Sequence, residues 1–218
     1  MVTIIPGGRR IVADGHLQLS RQAEHHMGMP AIERRNWTAA EVRALIDANP
    51  LYSPRYELVD GELLVTPSPG LPHQGVVGAL HVALHAFLQR ERTGKVFVSP
   101  SDVELAPELL VQPDVFVIST HEWMRGLAEG NPVRELLLAI EVLSPSSGRH
   151  DRVRKRPHYQ RTVPEYWIAD PDARVVVRWR PEDTRPEIID GTLVWHPAGA
   201  TAPFELPLAP MFAEAMGE

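Results

Sequence analysis

The amino-acid sequence predicts a mixed α/β domain in which a β-sheet is flanked by helices. Apolar residues recur at helical intervals in residues 38–48 and 73–92, and an Asp-Gly pair separates two β-prone runs in residues 56–65. A continuous apolar run with one internal acid covers residues 136–143, as expected for a central strand buried on both faces. Helical and strand patterns that alternate along 218 residues are typical of one domain with helices packed on a sheet.

The composition limits the chemistry that the chain can perform. Apolar residues make up 44% and charged residues 23%, which is ordinary for a globular protein. The absence of cysteine excludes disulfides, thiol catalysis, iron–sulfur clusters and cysteine-ligated zinc, so any metal must bind through oxygen or imidazole. The sequence shows no secretory signal and no apolar run approaching ~20 residues, so we expect a cytoplasmic protein that does not span a membrane.

Positive charge is concentrated in one part of the chain. The net charge of −6 argues against a broad basic surface for nucleic acid, but a dense basic cluster occupies residues 149–161. Its members are Arg149, Arg152, Arg154, Lys155, Arg156 and Arg161. The cluster is either a local contact surface for nucleic acid or only a solvated face of a helix.

The N-terminal residues are predicted to differ from the rest. Residues 1–35 lack a sustained period of two or 3.6, so we interpret them as a loosely ordered arm. The His25-His26 pair could bind a metal, but no third ligand stands at a fixed offset, and a flexible tail is the simpler interpretation. Residues 36–212 form the predicted domain, and residues 213–218 form a C-terminal tail.

Local signals predict the first elements of the domain. Thr38 is followed three residues later by Glu41, which is the spacing of a capping box and predicts a helix over residues 38–48. The Asp60-Gly61 turn predicts a β-hairpin. A long apolar stripe then predicts the main helix, and it consists of Val76, Val77, Leu80, Leu84, Phe87 and Leu88.

The second half of the chain is predicted to consist mainly of strands. These strands cover residues 95–99, 102–105, 115–118, 136–143, 166–169 and 174–180. Residues 118–136 are polar and contain glycine, so we expect them only to connect two strands. Residues 149–161 could form a helix in which Pro157 marks a start or a kink. The segment 187–212 is predicted to form a hairpin at Asp190-Gly191 and a proline-rich tail.

Glu141 is the residue that most needs an explanation. It lies within the apolar run 136–143, and burying a carboxylate is costly unless a partner compensates its charge. A purely structural explanation is an edge position or an ion pair with an arginine. The functional explanation is a metal site, which needs a second carboxylate.

Asp114 and Lys155 are the candidate partners of Glu141. Asp114 follows Pro113 at the start of a predicted strand, where it could also simply initiate a turn. Two carboxylates from neighbouring strands suit Mg²⁺, which typically takes one or two carboxylates plus water and substrate phosphate. Lys155 lies on the predicted helix after Glu141, where it could stabilise charge on a scissile phosphate or be one more surface cation.

A series of motifs extends over roughly residues 37–180. The motifs are YELVDGEL (56–63), PSP (67–69) with His73, VQPD (111–114), IEVLSPS (140–146), Asp151 with Lys155 and Tyr159, and VPEYWIADP (163–171). In this order they resemble the bacterial Uma-two (Uma2) family, a former domain of unknown function placed in the PD-(D/E)XK restriction-endonuclease-like superfamily. The resemblance implies a restriction-endonuclease-like core with a mixed β-sheet flanked by helices.

The resemblance also implies roles for individual residues. The catalytic set would be Asp114, Glu141 and Lys155, and the metal ligands would be Asp114, Glu141 and Val142, with Mg²⁺ as the cofactor and Mn²⁺ as a substitute. Further motif positions that could extend the site are Glu57, Glu62, His73 and Asp151. The residues expected to contact the DNA backbone are Arg149, Arg152, Arg154 and Arg156.

The sequence departs from the superfamily pattern at the lysine. The usual lysine stands two residues after the second acid, where this chain has Leu143. The family version moves the lysine to the following helix, which corresponds to Lys155. Here that segment also contains Pro157 and is one residue shorter than usual before the VPEYW motif.

The leading hypothesis is a Mg²⁺-dependent endonuclease that hydrolyses DNA, and the resemblance implies a homodimer because nucleases of the superfamily are often dimers. The alternative is a protein that keeps the nuclease fold, has lost catalysis, and binds nucleic acid or another partner. A hydrolase that uses a histidine has little support, because no serine lies in a nucleophile-elbow context. His81 and His85 stand four residues apart on the main helix but lack the glutamate of the zinc-protease pattern.

Overall fold

The computed structural model describes residues 36–49, 51, 53–130, 132–144 and 150–218, without the side chains of residues 150–152. The predicted N-terminal arm and its His25-His26 pair lie outside the described residues. The helices are α1 (Ala39–Asp47), α2 (Leu71–Glu91), α3 (Thr120–Glu129), α4 (Arg156–Thr162) and α5 (Leu208–Met216), and a π-helical turn, His150–Lys155, precedes α4.

The strands follow one another in short segments. They are β1 (Arg55–Val59), β2 (Glu62–Thr66), β3 (Gly94–Val98), β4 (Val103–Ala106), β5 (Leu109–Val111), β6 (Val115–Ser119), β7 (Leu138–Val142), β8 (Glu165–Asp170), β9 (Val175–Trp179), β10 (Glu187–Ile189), β11 (Thr192–Trp195) and β12 (Phe204–Pro207).

The strands form a central sheet and two smaller ones. The central sheet has six strands in the order β10-β9-β8-β7-β6-β3, the second has the order β2-β1-β5-β4, and β11 pairs with β12. Among the described strands, β7 and β8 form the parallel pair, and the other pairs are antiparallel. The mixed sheet flanked by helices confirms the predicted fold class.

Both faces of the central sheet are covered by apolar cores. Alternation along β6 sends Val115 and Val117 into the core beneath α2 and α5, whereas Phe116 and Ile118 enter the core beneath the four-stranded sheet. A third cluster, which includes Val42 of α1, covers the outer face of that smaller sheet. The strands β6 and β7 therefore lie in the middle of the layers, and a polar residue on them is buried.

The local signals at the start of the domain are confirmed. The capping box at α1 is complete, because Glu41 N donates to Thr38 Oγ1 at 3.3 Å and Thr38 N donates to Glu41 Oε2 at 3.0 Å. The β1–β2 turn has φ of 53° at Asp60 and 73° at Gly61, so both residues have the positive φ that a tight hairpin turn requires.

The C-terminal residues form a helix rather than the predicted tail. Helix α5 includes residues 213–216 and packs on α2, and a Cβ atom at Gly75 would overlap the carbonyl oxygen of Ala215. Glycine at this position therefore permits the close approach of the two helices. The proline-rich tail was a wrong prediction because Leu208, Met211 and Phe212 form a buried apolar face.

Three other predictions are corrected by the structure. Residues 118–136 contain α3, which a Ser119 cap and the buried Glu122 carboxylate stabilise, instead of only a connection. Residues 106–114, between two of the predicted strands, were given no strand, but they contain the short strand β5. The predicted hairpin at Asp190-Gly191 does not form, because β10 pairs with β9 and β11 pairs with β12.

Candidate active site

Asp114 and Glu141 occupy opposed positions on neighbouring strands. Val115 of β6 lies opposite Ile140 of the antiparallel strand β7, so continuing this register by one residue places Asp114 opposite Glu141. Side chains at opposed positions project from the same face of the sheet, with Cβ atoms roughly 4.5–5.5 Å apart. Both residues are buried at the point where β6 begins.

The Asp114 carboxylate is bonded at both oxygens. Arg55 Nη1 donates to Oδ1 at 2.7 Å, and Oδ2 accepts from His73 Nε2 at 3.0 Å and from the peptide N–H of Val142 at 2.9 Å. Burial alone would raise the pKa of Asp114, but the hydrogen bond from His73 and the charge of Arg55 outweigh it, and the pKa lies well below its ordinary value. Asp114 is therefore ionised at neutral pH.

Lys155 bridges two buried carboxylates. Its Nζ atom lies 3.1 Å from Glu141 Oε1 and 2.8 Å from Glu57 Oε2, and the Lys155 residue is only 2% exposed. Tyr159 OH donates to the same Glu141 oxygen at 3.1 Å. Burial, followed by the charges of Glu141 and Glu57, raises the pKa of Tyr159 well above its ordinary value, so this hydroxyl remains a donor.

Strand β1 connects the two halves of this cluster. Arg55 and Glu57 are two residues apart, so both project from the same face of β1. Glu57 Oε1 accepts from the peptide N–H of Gln112 at 2.8 Å, which fixes that carboxylate beside Lys155. Burial lowers the pKa of Arg55, but the charges of Asp114, Glu57 and Glu141 raise it by more. The net effect is a raised pKa. The guanidinium is therefore permanently charged.

The described side chains of this cluster include more carboxylates than permanent cations. Within the described part of the chain, the carboxylates of Glu57, Asp114 and Glu141 face the cations Arg55 and Lys155. A concentration of buried negative charge in low dielectric favours a bound cation.

A cavity of about 240 Å³ opens beside Asp114, and we refer to it as the Arg55 cavity. Its polar lining comprises Arg55, His73, Gln74, Asp114 and the serines Ser53, Ser68 and Ser99. Glu141 and Lys155 are buried and do not line this cavity. Asp114 is therefore the acid of the opposed pair that borders open space.

A comparison against models of known protein families shows to which family the chain belongs. The model of a family described as "Putative restriction endonuclease", Uma2, matches residues 46–209, which is most of the chain. The chain belongs to the Uma2 family. The predicted family is thereby confirmed.

A solved structure shows the same fold as this Uma2 chain. The crystal structure of a "putative nuclease belonging to DUF820" from Anabaena variabilis ATCC 29413 is 20% identical, with a TM-score of 0.65. The match covers 78% of this chain and 96% of that chain. A search among curated proteins finds no match. No helix in the described residues is long and apolar enough to cross a membrane.

The Uma2 structure brings together most of the predicted site residues. Asp114, Glu141 and Lys155 converge, and Glu57 and His73 join them. Val142 contributes its peptide N–H to Asp114. Glu62 lies apart from this cluster and forms an ion pair with Arg154. The Asp151 side chain lies outside the described residues.

The predicted DNA-contacting arginines are only partly described. Arg149 and the Arg152 side chain lie outside the residues whose side chains the structure describes. Arg154 pairs with Glu62, and the Arg156 guanidinium lies 4.7 Å from the centroid of the Trp179 ring. Their contact with DNA remains a prediction.

Two members of the Uma2 site were not predicted from the sequence. Arg55 was missed, although its spacing from Glu57 places two charged residues on one buried strand face. Tyr159 was recognised as a motif residue but was given no role. The signal for Tyr159 is its four-residue distance from Lys155, which corresponds to one helical turn.

Proposed function

We propose that this protein is a metal-dependent nuclease that hydrolyses phosphodiester bonds in DNA. The observation that carries the proposal is the convergence of Asp114 and Glu141 from opposed strand positions, with Lys155 Nζ 3.1 Å from Glu141. Membership of a family described as "Putative restriction endonuclease" supports the same reaction class. Phosphodiester hydrolysis needs stabilisation of charge on phosphorus oxygens and an activated water.

The donor set fits a hard divalent cation. Asp114 and Glu141 offer carboxylate oxygens, which are the protein ligands that Mg²⁺ prefers, and both carboxylates are buried on neighbouring strands. The described residues contain no ready group of three histidines or acids, so a cation would exchange for some of the present contacts of Asp114 and Glu141. When bound, Mg²⁺ or Mn²⁺ supplies Lewis-acid stabilisation of the phosphoryl oxygens.

The protein's own residues would perform the remaining tasks. Lys155 carries a positive charge into a nearly dry site, where it is worth more than in water and can neutralise charge that develops on the phosphate. His73 and the Val142 N–H hold Asp114 Oδ2 in place. Tyr159 and Lys155 hold Glu141 in the same way, and the contacts that a bound cation leaves in place would keep both carboxylates oriented.

A cleavage assay tests this proposal. Purified protein is incubated with plasmid DNA, duplex and single-stranded oligonucleotides and RNA, each with Mg²⁺, Mn²⁺ or EDTA. We expect DNA cleavage that needs the metal and falls about 100-fold or more in Asp114→Asn and Glu141→Gln, in line with the loss of a transition-state stabiliser. Glu62→Gln, which removes a carboxylate outside the cluster, serves as the matched control. Cleavage that is absent throughout, or equal in all variants, contradicts the proposal.

A second candidate is a nuclease fold that binds nucleic acid without cleaving it. The observation that favours this candidate is that Arg55 and His73 already bond to both Asp114 oxygens. Calorimetric titration with Mn²⁺ separates the two candidates. A catalytic site gives a binding signal that Asp114→Asn removes, whereas an inactive site gives no signal that depends on Asp114.

A further inference from the structure

We propose that the Arg55 cavity is a phosphate subsite in which the Arg55 guanidinium anchors a backbone phosphate of the nucleic acid. This inference rests on the proposed function and extends it to a residue with no assigned role. The cavity borders Asp114 directly, and its volume of about 240 Å³ corresponds to several water molecules at about 30 Å³ each. A phosphate group with some of its hydration fits this space.

Arg55 retains unused hydrogen-bond donors. Its Nη1 atom donates to Asp114 Oδ1 at 2.7 Å and to the carbonyl oxygen of Gln112 at 3.3 Å. In the part of the chain that the structure describes, neither Nη2 nor Nε has an acceptor. Nε is buried, whereas the two N–H groups of Nη2 remain for a ligand. The planar guanidinium can therefore still donate to a phosphate from Nη2 while Nη1 holds Asp114.

The remaining lining of the cavity suits an anion. The hydroxyls of Ser53 and Ser68 are 2.6 Å apart, so one hydroxyl donates to the other and the accepting hydroxyl keeps its own proton for a ligand. Asp114 is the acid of the lining, and its charge is already shared between Arg55 and His73. A phosphate therefore meets donors rather than unshielded carboxylates.

The Arg55 side chain is preorganised before a phosphate binds. Arg55 is fixed at one edge by Asp114, and its side chain is 11% exposed, so little conformational freedom remains to be lost. The same contact places a bound phosphate next to the acid that the proposed function assigns to the reaction. Arg55 would thus position the backbone rather than recognise the base sequence.

The salt dependence of DNA binding tests this subsite. The affinity for a short fluorescent duplex is measured by anisotropy with Ca²⁺ in place of Mg²⁺. We expect Arg55→Gln to lower the affinity about tenfold and the slope of log K against log salt by about 0.9, which is the loss of one phosphate contact. Arg55→Lys keeps the slope but binds about threefold less tightly, because an ammonium lacks the fork.

Arg90→Gln is the matched control. Arg90 is exposed in the last turn of α2, about 25 Å along the helix from His73, and its loss should change neither quantity. If the wild type binds no DNA, the proposed function and the subsite both fail. If the wild type binds DNA and both Arg55 variants keep its affinity and slope, the subsite alone is contradicted.

A second measurement covers the case in which Arg55→Gln does not fold. Duplexes with one neutral methylphosphonate linkage at successive positions are bound to the wild type and to Arg55→Lys. At one position, we expect the neutral linkage to lower the DNA affinity of the wild type about tenfold. The same linkage should lower the DNA affinity of Arg55→Lys clearly less, because this variant already lacks the guanidinium fork. A scan in which the two proteins respond equally at every position contradicts the subsite.

Discussion

Lys155 lies between two buried carboxylates, with its Nζ atom 2.8 Å from Glu57 Oε2 and 3.1 Å from Glu141 Oε1. The two acids belong to different sheets, because Glu57 lies on β1 and Glu141 on β7. A single ammonium group thus compensates charge on both sheets. The lysine therefore has a structural task that is separate from any catalytic one, and the two tasks can be measured separately.

Replacement of Lys155 by methionine should destabilise the protein strongly. The change leaves two carboxylates buried without their cation, and we expect the free energy of unfolding to fall by about 3–5 kcal/mol. Urea denaturation measures this loss. Adding Glu57→Gln to Lys155→Met should restore part of the stability, because one uncompensated charge is removed. Lys95→Met is the control at an exposed lysine, and an equal loss in both single variants contradicts the prediction.

Replacement of Tyr159 by phenylalanine removes only the hydroxyl that bonds to Glu141. The ring stacks on Tyr166 with centroids 4.7 Å apart, and this contact remains in the variant. We expect the free energy of unfolding to fall by about 1.5–3 kcal/mol, which is typical of a hydrogen bond to a charged group. Tyr56→Phe is the control at a half-buried tyrosine of β1. Equal stability of the wild type and Tyr159→Phe in urea denaturation would be the contrary result.

The low pKa of Asp114 predicts how stability changes in acid. A carboxyl group whose pKa is lower in the folded state contributes stability that is complete above its ordinary pKa of 3.8 and declines as the pH falls below that value. Asp114→Asn lacks this contribution. We therefore expect the stability gap between wild type and Asp114→Asn to narrow below pH 3.8, as measured by urea denaturation at a series of pH values.

An exposed aspartate provides the control for this pH series. Asp172 lies in the turn after β8, and Asp172→Asn should remain close to the wild type in stability throughout. A gap between the wild type and Asp114→Asn that stays constant down to the lowest pH would refute the assigned cause, which is protonation of Asp114.

Two glycines of α2 should respond to alanine in opposite directions. A Cβ atom at Gly75 meets the backbone of Ala215 in α5, so we expect Gly75→Ala to destabilise the protein by about 1–3 kcal/mol. A Cβ atom at Gly78 meets no atom within 4 Å in the described structure, and the helix propensity of alanine should add about 0.5–1 kcal/mol. Thermal unfolding compares the two variants, and a Gly75→Ala protein as stable as Gly78→Ala contradicts the packing of α5 on α2.

Local sequence signals predicted those elements that are stabilised by residues close to them in the sequence. The capping box at Thr38 and the Asp60-Gly61 turn are formed by residues within a few positions, so their sequence patterns were sufficient. Helix α3 was missed because two of its apolar residues, Met124 and Leu127, are exposed, a third, Trp123, is only partly buried, and its buried residue is the polar Glu122. A search for an apolar stripe cannot find such a helix.

Without the family resemblance, the site was predictable only where one residue alone was unusual. Glu141 could be identified because an acid in an apolar strand requires a partner. Arg55 could not be assigned to Asp114, since the two residues are 59 positions apart and meet only when the small sheet packs on the central one. The same reason explains the wrong hairpin after β10, because Ile189 pairs with β9 instead of continuing into β11. Tertiary pairing decides such contacts.

The parallel pairing of β7 and β8 decides where in the sequence the lysine that contacts Glu141 can lie. Two neighbouring parallel strands must be joined by a long crossover, and this crossover carries Lys155 back past the strand that holds Glu141. A lysine at a neighbouring position of this crossover would therefore reach the same acid without any change of topology. Distant relatives are better sought by an acid on the strand and a lysine anywhere on the following crossover than by a fixed interval between them.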